Sequence, residues 1–88
     1  MTMHAWAEHV VHVELLSGDA EIAETTVRFL ERRFSDRDVE GHAEPGRIGL
    51  HSDLARPVSA EDVARALVEA GVRAHAVHER QEWSVTDA

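Results

Sequence analysis

The pattern of apolar and polar positions divides the chain into alternating strand and helix segments. From Val10 to Leu16, apolar residues recur at every second position, which predicts a β-strand with one buried face. After the polar break at 17–19 the period becomes helical, and we predict a helix from Ala20 to about Phe34. Asp19 is the predicted N-cap of this helix, because its side chain can accept a hydrogen bond from a free backbone N–H.

Two short strands follow, from Asp38 to Glu44 and from Arg47 to Ser52. Pro45 and Gly46 between them suit the two central positions of a type II turn, since proline fixes φ and glycine accepts a positive φ. The turn predicts a hairpin whose apolar residues share one face. The predicted pairs are Ala43 with Ile48, Gly41 with Leu50, and Glu40 with His51.

The last third of the chain predicts a second helix and a fourth strand. Ser59 and Asp62 have the spacing of a capping box, and Gly71 stands where a helix needs a left-handed C-terminal residue. The fourth strand runs from Val72 to about His78, and residues 83–86 are a possible short fifth strand. Alternation predicts two faces for the fourth strand: Val72, Ala74 and Ala76 on the core side, and Arg73, His75 and Val77 on the other.

The order strand, helix, strand, strand, helix, strand predicts an α+β fold. With right-handed crossovers it gives a ferredoxin-like βαββαβ sandwich, in which two helices cover one face of a four-stranded antiparallel sheet of strand order 4-1-3-2. Residues 1–88 are enough for a single domain. Leu30 is predicted to pack against the sheet.

Composition removes several kinds of chemistry. The chain has no Cys and no Lys, which excludes disulfides, thiolate metal sites and Schiff-base catalysis. Its net charge of -8 argues against a nucleic-acid surface. No apolar run approaches the roughly 18 residues of a membrane span. The N-terminal nine residues lack the features of a signal peptide, so a cytoplasmic location is predicted.

Alternation places one histidine of each strand on the sheet face away from the helices, which we call the open face. These predicted open-face histidines are His12, His42, His51 and His75. The face can simply be polar. It can instead be covered by another subunit, with apolar contacts from Trp6, Val10, Leu16, Val77 and Trp83. It can also hold zinc, nickel or copper(II) through the imidazoles, with Glu14 or Glu40 as carboxylate ligand.

The segments "HVELLSGDAEI", "GRIGLHSD" and "SAEDVARALVEAGVRAHAV" resemble the heavy-metal-associated (HMA-like) domain of copper chaperones and metal-pumping ATPases. The resemblance implies a ferredoxin-like fold and a small regulatory or interaction role. That family binds metal through CxxC before its first helix, and the corresponding loop here, "LLSGDAEI", has no cysteine. ACT-type regulatory domains and dimeric α+β barrel proteins share the strand order.

The function that the sequence predicts first is a small non-catalytic interaction or regulatory module. It would form a homo-oligomer or bind a protein partner through the open face, without nucleic acid or membrane. The alternative is a histidine-based binder of a divalent transition metal. A second alternative is an enzyme of the dimeric α+β barrel type, which would need a sizeable pocket between sheets.

Overall fold

The computed structural model describes the backbone of residues 3–87 and the side chains of residues 7–83. The described residues form four strands and two α-helices, with a 3₁₀ turn at 35–37. In chain order they are β1 (Met3–Leu15), α1 (Ala20–Arg33), β2 (Glu40–Glu44), β3 (Arg47–Ser52), α2 (Ala60–Ala70) and β4 (Ala74–Asp87).

The strands form one antiparallel sheet in the order β2-β3-β1-β4. Alternate residues of β1 and β3 pack with the buried side of both helices in a single apolar core. Leu30 of α1 is completely buried in this core, as predicted. An α+β fold with a four-stranded open sheet and two helices is thus confirmed, and it is compatible with a ferredoxin-like fold.

Local side-chain chemistry sets the helix ends. Asp19 accepts a hydrogen bond from the backbone N–H of Glu21 at 2.9 Å and so caps α1. Ser59 and Asp62 form the predicted capping box at the start of α2. Gly71 ends α2 in the left-handed conformation with φ 72°, which a residue without a Cβ adopts at low cost.

The β2–β3 hairpin has the predicted register, in which Ala43 pairs with Ile48, Gly41 with Leu50, and Glu40 with His51. Gly46 in the turn of the hairpin has a φ of 81°. The carbonyl of Gly46 accepts a hydrogen bond from Leu15 N–H at 2.8 Å, which connects the hairpin to the end of β1.

Close packing explains why β2 carries a glycine facing α1. A Cβ on Gly41 would lie 2.5 Å from Cγ1 of Val27.

The strands β1 and β4 are much longer than predicted. They pair with each other from Met3–Asp87 to Leu15–Ala74, whereas β3 accompanies β1 only from His9 to Glu14. The part of the β1–β4 pair that β3 does not reach is therefore a two-stranded ribbon. The possible fifth strand at 83–86 was wrong, because these residues continue β4. Polar residues at 79–82 hide the continuation, since alternation marks a strand only where one of its faces is buried.

A β-bulge changes the two faces of β4. Glu14 pairs with Ala76, but the next residue of β1, Leu15, pairs with Ala74, so His75 is an extra residue. Val77 consequently packs against the core. The predicted faces of Ala76 and Val77 were wrong, because one inserted residue exchanges the faces of a strand.

Candidate functional site

A row of histidines crosses the open face of the sheet. His12 of β1 pairs with Gly49 of β3 on one side and with His78 of β4 on the other. Gly49 pairs in turn with His42 of β2. This register places three imidazoles and one glycine in a single row across the sheet, with the glycine between two of the imidazoles. Neighbouring positions in the row are about 4.8 Å apart, the distance between adjacent strands.

A second row lies beside the first. In it Glu40 pairs with His51, which pairs with Val10, and Val10 pairs with Arg80. His51 is two residues from Gly49 along β3, a separation of about 6.6 Å. Four residues of the predicted metal set therefore fall in these two rows: His12, His42, His51 and Glu40.

His75, the fifth residue of the predicted set, does not join these rows. It is the extra residue of the bulge and is exposed. His78 takes the place beside His12 that the sequence assigned to His75. The prediction assumed uninterrupted alternation from Val72 onward, which the bulge removes.

Gly49 forms the floor of a depression of about 420 Å³ in the open face. A Cβ built on Gly49 would meet no atom within 4 Å, so the missing side chain leaves open space. Imidazoles and charged groups surround the depression. They include His12, His42, His51, His78, Glu14, Glu44, Arg47 and Arg80.

The four imidazoles lie in two contacting pairs. The rings of His12 and His78 are stacked, with centroids 5.5 Å apart and planes at 25°. The rings of His42 and His51 meet edge to face, with centroids 4.9 Å apart and planes at 87°. The first pair thus joins β1 to β4, and the second joins β2 to β3.

Carboxylates fix the orientation of two of these rings. Nε2 of His12 lies 2.9 Å from Oε2 of Glu82, and Nδ1 of His51 lies 2.6 Å from Oε2 of Glu8. An ionised carboxylate can only accept, so each of these ring nitrogens carries the proton and donates it. When the rings are neutral, Nδ1 of His12 and Nε2 of His51 keep a free lone pair.

Glu82 accepts two side-chain hydrogen bonds on the open face. It accepts hydrogen bonds from His12 and, at 2.8 Å, from Nε of Arg80. The hydrogen bond from His12 and then that from Arg80 hold the pKa of Glu82 below its usual value, although partial burial acts in the opposite direction. Glu82 is therefore ionised at neutral pH.

The apolar contacts predicted for a covering subunit are not assembled on this face. Val10 lies there but is completely buried between the His51–Glu8 and Arg80–Glu82 pairs. Val77 packs in the core on the other side of the sheet. Trp83 pairs with Ala7 on the helix side of the ribbon, where its side chain is 68% exposed.

Two further predicted contacts fall elsewhere. Leu16 follows the end of β1 and is half exposed at the α1 side of the molecule. The side chain of Trp6 lies outside the described residues. Among the side chains of residues 7–83, the open face is therefore mainly imidazole, carboxylate and guanidinium.

The present side-chain positions do not form a closed metal cage. Among the side chains of residues 7–83, no three His, Asp or Glu groups are arranged to hold an ion. The predicted carboxylate ligands are both exposed, and Glu14 pairs across strands with Arg47.

Sequence reasoning missed His78, Glu8 and Glu82 as members of this site. The HxxH spacing of His75 and His78 is visible in the sequence. It does not say which of the two joins the open face. The two glutamates lie in the ribbon half of β1 and β4, which the sequence did not identify as strand.

Comparison of the chain with protein-family profiles, with curated proteins and with solved structures finds no match. None of the helices in the described part of the chain has the length and apolarity to cross a membrane. Family membership and cytoplasmic location stay predictions.

Proposed function

We propose that this chain is a small non-catalytic interaction module that binds its partner through the open face of the sheet. The observation that carries the proposal is the depression over Gly49, which residues of all four strands surround. Carboxylates hold His12 and His51 at its edge, so the surface is preorganised.

The net charge of the open face indicates what kind of partner would bind there. By strand register and alternation, the part of the face formed by residues 7–83 carries five carboxylates and two arginines, about three net negative charges when the histidines are neutral. Two copies meeting through this face would bring like charges together. A partner with a basic surface fits better. The charged residues are Glu8, Glu14, Glu40, Glu44, Glu82, Arg47 and Arg80.

The test is a nuclear magnetic resonance titration with hexalysine as a basic probe. We expect shifts centred on His12, His42 and His78, and weaker binding by Gly49→Arg, which fills the depression with a positive charge. Gly18→Arg is the matched control, because a side chain at either glycine meets no atom within 4 Å. It should bind hexalysine almost as well as the wild type.

Shifts centred on the helices, or equal losses in the two variants, would contradict the proposal. Light scattering on the protein alone adds one distinction. A mass above the monomer value of 9.8 kDa that Gly49→Arg returns to the monomer would identify the partner as a second copy and contradict the charge argument.

The second candidate function is binding of a divalent transition metal such as zinc, nickel or copper(II). It is favoured by the two carboxylate–imidazole pairs, because metal-ligating histidines commonly donate their other ring N–H to a carboxylate. The free lone pairs of His12 and His51 lie on imidazoles beside Gly49, with His42 as the third imidazole around it. The resemblance to heavy-metal-associated domains adds only a fold-level reason.

Zinc and nickel should then raise the melting temperature at a pH of about 7.5, since an ion at a hundredfold excess over Kd adds about 2.7 kcal/mol to the free energy of unfolding. The shift should fade as the pH falls below about 6.5, where free histidine protonates. His12→Ala should abolish it, and His75→Ala, the matched control at the bulge, should preserve it. A shift that survives His12→Ala, or no shift at all, would contradict metal binding.

A further inference from the structure

A second cleft lies on the other side of the molecule, away from the open face. It has a volume of about 660 Å³ and lies between α1, the end of β1 and the segment that follows α2. Sites for small organic ligands typically measure about 300–1,000 Å³. The apolar residues that line it are Leu15, Leu16, Ile22, Phe29, Ala70 and Val72.

The cleft leaves apolar surface in contact with water. Leu16 is 50% exposed and Ile22 is 39% exposed, although both belong to segments that bury their neighbours. The polar groups of the wall are largely occupied. The hydroxyls of Thr25 and Thr26 donate to helix carbonyls four residues earlier, so they do not offer free donors to a ligand.

Two arginines give this cleft its electrostatic character. Arg32 and Arg73 line it, and neither forms an ion pair within 4.0 Å with the side chains of residues 7–83. The neighbouring Arg33, by contrast, pairs with Glu69 at 3.1 Å. No Asp or Glu stands among the described lining residues, in a chain that has 17 of them.

Arg73 is attached to a fixed part of the backbone. Its carbonyl accepts a hydrogen bond from Leu16 N–H at 3.2 Å, and Gly71 two residues earlier is held by hydrogen bonds to the last turn of α2. The guanidinium therefore extends from an anchored segment. A ligand at this point would meet apolar walls and positive charge together.

We propose that this cleft binds a small amphipathic carboxylic acid, with its apolar chain against Ile22 and Phe29 and its carboxylate at Arg32 and Arg73. Guanidinium groups form charge-assisted, often bidentate hydrogen bonds with carboxylates. Such a ligand replaces water on the apolar walls and supplies the missing counter-charge. The site shares no lining residue with the depression over Gly49 and so is separate from the open face.

Calorimetric and nuclear magnetic resonance titrations with octanoate, 1-octanol and octylammonium test the proposal, because the three probes share a chain and differ in the head group. We expect octanoate to bind about tenfold more tightly than octylammonium, in line with a charge-assisted contact. Its shifts should centre on Leu16, Ile22 and Val72. Arg73→Gln should weaken octanoate about tenfold and leave 1-octanol unchanged.

Arg28→Gln is the matched control, since Arg28 is an exposed residue of α1 that does not line the cleft. It should bind octanoate as the wild type does. Ile22→Ser should weaken both octanoate and 1-octanol, because it removes apolar wall. Equal affinity for octanoate and octylammonium, equal effects of Arg73→Gln and Arg28→Gln, shifts on the open face, or no binding of octanoate would each overturn the proposal.

Discussion

The imidazole rings of His12 and His78 are stacked on the open face, with centroids 5.5 Å apart. This contact exists because the bulge at His75 moves His78 into the row of His12. The bulge also brings Glu82, two residues beyond Arg80, within hydrogen-bonding distance of His12. A one-residue irregularity in an outer strand thus sets the composition of the candidate site.

Replacement of Glu82 by Gln should change the acid sensitivity of the fold. The hydrogen bonds from His12 and Arg80 lower the pKa of Glu82 from its usual 4.5. A carboxyl with a lowered folded-state pKa stabilises the protein above its unfolded-state pKa, and this stabilisation is lost as the pH falls through the folded-state pKa. Glu82→Gln should therefore melt at a lower temperature than the wild type at a pH of about 7, with the difference closing between about pH 5 and pH 3.

Thermal melts across this pH range measure the effect of Glu82→Gln. Glu24→Gln, at an exposed position of α1, is the control and should follow the wild type throughout. A Glu82→Gln difference that stays constant with pH would show that the ionised carboxylate does not stabilise the fold.

Gly41→Ala should destabilise the protein by about 1–3 kcal/mol, because the new methyl group would meet Val27 and overpack the contact between β2 and α1. Chemical denaturation gives the free energy of unfolding. The matched variant Gly49→Ala meets no atom within 4 Å and should be neutral or slightly stabilising. The cost of Gly41→Ala should largely disappear in a Val27→Ala background, and a full cost there would contradict the steric explanation.

Leu30→Ala should lower the free energy of unfolding by about 2–5 kcal/mol, because Leu30 is completely buried and its truncation leaves a cavity. Val68→Ala is the control, because Val68 of α2 is 79% exposed, and it should change the free energy of unfolding by less than about 0.5 kcal/mol. Urea denaturation of both variants decides the matter. Similar losses in the two would mean that the helices do not pack as described.

Ser59→Ala should lower the free energy of unfolding by about 1 kcal/mol, since it removes the side chain that accepts from Asp62 N–H at 3.0 Å. Asp62 also bonds to Nη1 of Arg37 at 3.2 Å, so the cap joins α2 to the loop before β2. Ser59→Asp, which keeps a capping oxygen, should recover most of the loss. A loss that Ser59→Asp fails to recover would point to a role other than capping.

Elements that depend on local interactions could be predicted from the sequence. Asp19, Ser59 and Gly71 mark the helix ends through hydrogen bonds and backbone freedom within a few residues. The turn at Pro45 and Gly46 sets the pairing of β2 with β3 for the same reason. These interactions form wherever the segment lies, so short-range patterns are enough to predict them.

The length of β1 and β4, the bulge at His75 and the cleft beside Arg73 depend on the folded arrangement of the whole chain and could not be predicted from local patterns. Each depends on partners far apart in the sequence: β1 pairs with β4 across about seventy residues, and the cleft joins α1 to the segment after α2. Alternation has a period of two, so a pairing shift of one residue moves a side chain to the opposite face. The physical reason that His78 rather than His75 stands beside His12 is therefore the register between two distant strands, which local sequence does not contain.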